Sequence, residues 1–149
     1  MKRELIQHEF VEDIPEELKD GVLYISIRYR TASHLCACGC GDKVVTPIKP
    51  PKWHLTFDGD TVSLSPSVGN WQQPCRSHYW IRNNQVDWAK PWTDAQIEAG
   101  RAKDMSDVCG YYAGRASQQD DRRPAEPRST LAGRALGAFR RLMASGRGR

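Results

Sequence analysis

Three alternating cysteines, Cys36, Cys38 and Cys40, lie in the run Leu-Cys-Ala-Cys-Gly-Cys-Gly-Asp, and Cys75 follows after a stretch of strand-like sequence. Soft ligands clustered at two points of a short chain read as a metal clip holding a loop-rich domain together, and this constrains the fold more than any other feature. Met1-Lys-Arg-Glu is followed quickly by His8, Glu9, Glu12 and Asp13 rather than by an apolar leader, and no apolar run reaches spanning length. The expected compartment is therefore the cytoplasm, where crowded thiols are held by metal rather than by disulfides. Thiolate sulfur suits zinc, and a structural zinc takes four protein ligands in a closed tetrahedron, which Cys36, Cys38, Cys40 and Cys75 supply without help. On a regular strand, alternate residues would spread three sulfurs over too great a length; Gly39 and Gly41 relieve this by letting the backbone fold around an ion. A second set drops Cys38 and takes His78, since Cys75-x-x-His78 is itself a ligand spacing. The fifth cysteine, Cys109, lies in a distant helix-like segment.

Around this clip the sequence predicts a mainly β fold, a small antiparallel zinc-anchored domain over residues 1–90. Pro15 followed by two glutamates suits the first turn of a short helix within 10–18. Residues 22–29 alternate, with Leu23, Ile25 and Ile27 on one face, as a half-buried strand does. A short strand at 43–47 precedes Pro50 and Pro51, and Asp58-Gly-Asp between 53–57 and 61–64 is a hairpin signal. Residues 75–81 read as a strand, and Asn83-Asn84 as the turn into 85–88. Beyond Pro91, Thr93-Asp-Ala-Gln caps a helical extension, 91–113, running towards Tyr112, with Gly100 an oddity in its middle. Residues 114–149 form a basic, partly disordered tail with an amphipathic-helix signal starting at Ser129-Thr130.

Charge narrows the partners. The formal net charge is +4, but from Arg115 onward nine arginines face three acids, a balance of +6 that leaves residues 1–114 at −2. The folded part thus lacks the basic face that nucleic-acid binding needs, and no membrane is expected.

Two polar residues stand beside the clip. Ser67 lies in Pro66-Ser-Val-Gly-Asn70, read as an irregular loop able to present a nucleophile, with Asn70 as a further donor. His78 follows Cys75 closely, so an anchored Cys75 would hold it near that loop. A serine hydroxyl needs a neighbouring base to attack at neutral pH, and His78 is the candidate. Taken singly, a serine in a Pro/Gly turn is usually a turn residue and a strand histidine usually packs or ligates. Ser65 and Ser77 are weaker nucleophile candidates, Asp42 a candidate orienting acid, and His34 a spare ligand or base. His54 is expected to face solvent, and Trp53, Trp71, Tyr79, Trp80 and Trp88 to build the core.

In combination, Phe10-Val-Glu-x-Ile-Pro, Gly21-Val-Leu-Tyr-Ile-Ser, His34-Leu-Cys-Ala-Cys-Gly-Cys-Gly, Leu64-Ser-Pro-Ser-Val-Gly-Asn-Trp71 and Pro74-Cys-Arg-Ser-His-Tyr-Trp-Ile81 resemble the BubE-like family. These are small proteins of bacterial ubiquitin-like conjugation operons, and the likeness spans roughly residues 8–89. It implies a deubiquitinase-like serine protease that trims a ubiquitin-like protein to its C-terminal glycine and acts on its conjugates. Its partners would be that protein and its activating and conjugating enzymes. Carried over, the motif serine is Ser67, the motif histidine His78, and the metal ligands Cys36, Cys38, Cys40 and Cys75. Two rival readings of the same residues are a zinc-dependent hydrolase with an open coordination position, and a noncatalytic zinc-binding module of the same pathway.

Overall fold

The structure is a computed structural model describing residues 1–120; the basic tail from residue 121 onward, with its amphipathic-helix signal, lies outside the described residues. Short apolar runs punctuated by turn residues produce strands β1 (Gln7–Phe10), β2 (Val22–Ser26), β3 (Thr31–Leu35), β4 (Lys43–Pro47), β5 (His54–Phe57), β6 (Val62–Gly69), β7 (His78–Arg82) and β8 (Gln85–Trp88), then helix α1 (Asp94–Asp120). They form two four-stranded sheets, ordered β1-β2-β3-β4 and β5-β6-β7-β8. All pairings are antiparallel except that of β1 with β2. The fold is thus mainly β, with a C-terminal helix.

Ile6, Leu23, Ile25, Ala32 and Val44 pack with Val62, Leu64, Val68, Tyr79, Ile81 and Val86 in one cluster, so the two sheets share a core. Each large apolar side chain buried there contributes about 1.5–3 kcal/mol. Cys36 and Ala37 belong to the same cluster, with Cys38 and Cys75 packed against it. The cysteine clip is therefore continuous with the core. Residues 4–10 tie the sheets together: Val86 N donates to the Glu4 carbonyl, Ile6 N to the Asn84 carbonyl, and Gln7–Phe10 then pairs with β2.

Both predicted turns form. Asp58 accepts the amides of Asp60 and Thr61 and the Thr61 hydroxyl, at 2.9, 2.7 and 2.7 Å, to close the β5–β6 hairpin. The Thr61 hydroxyl and amide and the Asp60 amide stabilise the carboxylate and draw its pKa down to about 2. Asn83 and Asn84 both have positive φ, 48° and 61°, and close the β7–β8 hairpin.

Local signals fail where long-range pairing intervenes. No helix forms over 10–18, because β1 pairs with β2 and the Val11 amide continues that pairing onto the Ile25 carbonyl; a helix confined to so short a stretch is costly to nucleate. The strand expected over 22–29 stops at Ser26, whose hydroxyl donates to the Glu12 carbonyl at 2.5 Å, and Ile27 is left 62% exposed. The chain turns there into β3, which leads into the cysteines. Strand β7 begins at His78 rather than Cys75. Helix α1 starts at the predicted cap, where the Thr93 amide donates to Gln96 Oε1 at 2.9 Å and the Gln96 amide donates to Thr93 Oγ1 at 3.3 Å. It runs to Asp120.

Candidate active site and metal centre

Ser67 lies in a bulged strand, not in a loop. Leu64 pairs with Ile81 and Val68 with Tyr79, so β6 spends two more residues than β7 between these pairs. Ser65, Pro66 and Ser67 occupy the excess, where Pro66 has no amide to leave unpaired. The bulge brings Ser67 Oγ within 2.8 Å of His78 Nε2, and Gly69, two residues on, pairs directly with His78. A serine hydroxyl donating to an imidazole nitrogen at this distance is the arrangement that general-base activation requires.

The His78 side chain is covered, the residue being only 4% exposed, and its Nδ1 is buried without a hydrogen-bond partner. Burial lowers its pKa, partly offset by the Lys90 backbone, whose contact falls short of a bond of normal geometry. The imidazole is thus held neutral and able to accept a proton around neutral pH. Ser67 and His78 open into a cavity of about 570 Å³, walled by Trp53, Trp71 and Trp92 and, from α1, by Ile97 and Asp104. The Trp71 indole lies on Gly69, where a Cβ would come within 2.4 Å of Trp71 Nε1.

The four cysteines converge. Their sulfurs all lie within 4.8 Å of one another, with Cys36 Sγ 3.3 Å from Cys38 Sγ and 3.9 Å from Cys75 Sγ. Gly39 and Gly41, at φ 83° and 85°, make the turns that the alternating spacing demands, and the Cys36 amide donates to the Asp42 carbonyl at 2.8 Å to close the loop. A tetrahedron of ~2.3 Å zinc–sulfur bonds spaces its sulfurs ~3.8 Å apart, so this set fits a zinc ion and could hold one. Burial pushes the Cys75 thiol up, but Ser77, Cys38 and Cys40 together bring it down to about 7, while Cys38 and Cys40 are raised, burial being the largest cause. One thiolate forms readily and discourages the next until a cation neutralises them.

Polar neighbours reach the same sulfurs. Asn70 Nδ2 donates to Cys36 Sγ at 3.3 Å and to Ser77 Oγ at 2.9 Å, and Ser77 Oγ lies 3.0 Å from Cys36 Sγ and 3.6 Å from Cys75 Sγ. Asn70 is therefore committed to the cysteine cluster, not to a site beside Ser67, and Ser77 likewise. Asp42 accepts from Cys40 at 3.3 Å and makes no contact with His78. His34 is neither ligand nor base: its Nε2 meets the Tyr79 hydroxyl at 2.8 Å, and burial lowers its pKa to about 4. His54 and Ser65 are exposed. Sequence reasoning overlooked Trp92, although its place just before the Thr93 cap, five residues ahead of the helix's first buried residue Ile97, has the pattern of a hydrophobic staple.

Residues 10–89 match the model of a family described as bacterial ubiquitination-like system serine protease (BubE). No curated protein and no solved structure matches the chain. The family match spans more than half of the sequence and includes both Ser67 and His78 and all four converging cysteines. The chain belongs to this family, and so to the serine proteases of bacterial ubiquitination-like systems.

Proposed function

We propose that this family member trims the C-terminus of a ubiquitin-like protein and removes that protein from conjugates, with Ser67 as nucleophile and His78 as its base. The observation that carries the reading is the 2.8 Å contact between His78 Nε2 and Ser67 Oγ at the wall of an open cavity. Ser67 Oγ attacks the carbonyl carbon of the tail's terminal glycine while its proton passes to His78 Nε2. His78 then returns that proton to the departing amine, leaving an ester on Ser67. Water attacks the ester with His78 again as base, which frees the glycine carboxylate and restores the hydroxyl. An extended tail ending in glycine needs a narrow, aromatic-walled groove, and Trp53, Trp71 and Trp92 supply such walls.

Zinc held by Cys36, Cys38, Cys40 and Cys75 would supply fixed geometry rather than a reacting group. Asn70 follows the Ser67 strand and Ser77 precedes His78, and both touch Cys36 Sγ, so the cluster braces the two strands that carry the pair. Four converging sulfurs leave no position for water, which favours the serine reading over a zinc hydrolase. The test is cleavage of a ubiquitin-like precursor bearing a C-terminal extension by the full chain and by Ser67→Ala, with metal content and fold checked in both. Cleavage by the wild type alone is expected. Equal cleavage by both would overturn the assignment of Ser67, and binding without cleavage by either would favour a noncatalytic module.

A further inference from the structure

We propose that tryptophan rings rather than a carboxylate hold His78 in register with Ser67, and that Trp92, delivered by the segment after β8, completes this clamp. The inference rests on the peptidase reading above and adds the positioning residues that it lacks. In a triad a third group fixes the imidazole's orientation and tautomer and steadies the imidazolium that forms. Here no acid fills that place among the described residues. The titratable groups lining the cavity with His78 are Lys52, His54, Arg101, Lys103, Asp104 and Asp107; Lys103 and Asp107 pair at 2.5 Å, and none of the six hydrogen-bonds or pairs with His78.

Rings meet His78 instead. Trp71 and Trp92 approach it edge-to-face, with centroids 4.8 and 4.7 Å away and interplanar angles of 60° and 71°, and Trp80 lies tilted at 5.3 Å. Trp71 and Trp92 also stack on each other, at 5.4 Å and 14°. Indoles packed this closely restrict the imidazole's rotation and shield it from water.

Trp71 and Trp92 are each backed by a glycine. Trp71 lies on Gly69, and a Cβ at Gly100 would meet Trp92 Cζ3 at 3.0 Å. The glycine that looked out of place within the helix thus lets α1 press against Trp92. Arg76 and Asp94 pair and fasten the loop that follows Trp71 to the start of α1. Trp92, Asp94 and Gly100 all lie beyond the family-matched residues 10–89, so the clamp is completed from outside that segment.

The test uses the full chain with its metal: wild type, Trp92→Phe, Trp92→Leu and Gly100→Val, the last keeping every indole in the sequence. Nitrogen-15 NMR of the histidine side chains reads the tautomer and titration of His78 directly. A fluorophosphonate probe reads Ser67 activation: the Ser67 Oγ–P bond forms, fluoride leaves with the P–F electrons, and the hydroxyl proton passes to His78. Wild type should show one His78 tautomer protonated at Nδ1 and a titration below about 6.5. Trp92→Leu should mix the tautomers and raise that pKa towards the ordinary histidine value, and Gly100→Val should do so in part. Phosphonylation should slow at least about ten-fold in Trp92→Leu yet stay within about three-fold of wild type in Trp92→Phe. His78 signals in Trp92→Leu and Gly100→Val that coincide with wild type would overturn the proposal, whatever the probe reports. Altered His78 signals with no phosphonylation of wild type would sink the Ser67 reading instead and leave the clamp standing.

Discussion

Asn70→Ala should weaken metal binding without touching a ligand. The Asn70 amide donates to Cys36 Sγ at 3.3 Å and to Ser77 Oγ at 2.9 Å, both inside a buried network. A hydrogen bond to a charged acceptor is worth ~1.5–3 kcal/mol, and the 3.3 Å bond to sulfur should lie near the lower figure. The Ser77 hydroxyl, 3.0 Å from the same sulfur, stays in place and can turn its proton towards it. A net loss of about 1.5–2 kcal/mol corresponds to a rise in Kd of roughly 10- to 30-fold, within the range typical for groups that support metal ligands. The assay is competition for zinc against a chromophoric chelator at fixed pH, with circular dichroism to confirm that the metal-bound variant is folded. Ser77→Ala and the double variant complete a cycle, and their effects should not add, because the two residues also bond each other. A Kd for Asn70→Ala within two-fold of wild type would refute the reasoning, since it would mean that the amide does not stabilise the thiolate. Saturating zinc should then restore most of the cleavage activity, because Asn70 contacts neither Ser67 nor His78.

Ser67→Ala should lower precursor cleavage by on the order of 10³-fold or more while zinc content and melting temperature stay near wild type. Gly69→Ala places a Cβ against the Trp71 indole at 2.4 Å and should cost about 10- to 100-fold in cleavage at unchanged metal content; wild-type rates would show that Trp71 can move without consequence. Because burial lowers the His78 pKa, the imidazole loses its proton at a lower pH than an ordinary histidine, so the acid limb of kcat/KM should fall below about pH 6.5. A limb at or above that value would contradict the buried setting. A strong chelator should abolish activity and tertiary near-ultraviolet signal together, and loss of activity with the fold intact would point back to an open metal site.

Much of this architecture is written locally in the sequence. Alternating cysteines separated by glycines make sense only if the backbone turns around a common point, and Asp58-Gly59 and Asn83-Asn84 specify their turns through the φ values they tolerate. Other features depend on partners distant in sequence. Nothing within Pro66-Ser-Val-Gly reveals a bulge, because a bulge exists only relative to the register of the facing strand, here Tyr79 to Ile81. Asn70 reads equally well as a donor towards Ser67 or towards Cys36; the buried pairing with Ser77 decides for the cysteine side. The parallel pairing of β1 overrode the helix signal at Pro15 for the same reason. Trp92 was legible in principle, since an aromatic residue before a Thr-x-x-Gln box is a staple signal, but its contact with His78 required the fold.

The metal cluster and the Ser67–His78 pair are two ends of one hydrogen-bonded structure. Ser77 and His78 are consecutive, so on passing into β7 one side chain meets the cysteine sulfurs and the next meets Ser67. On the facing strand, Gly69 pairs with His78, while Asn70 binds the Ser77 carbonyl through its backbone and Cys36 Sγ through its side chain. Displacing the sulfurs therefore shifts both strands at the residues adjoining the pair, and near-attack geometry tolerates little such movement. Ser67 has no register partner on β7, so its place beside His78 depends on constraints from outside that ladder. The cysteine cluster supplies that constraint on one side of the pair, and the stacked Trp71 and Trp92 supply it on the other.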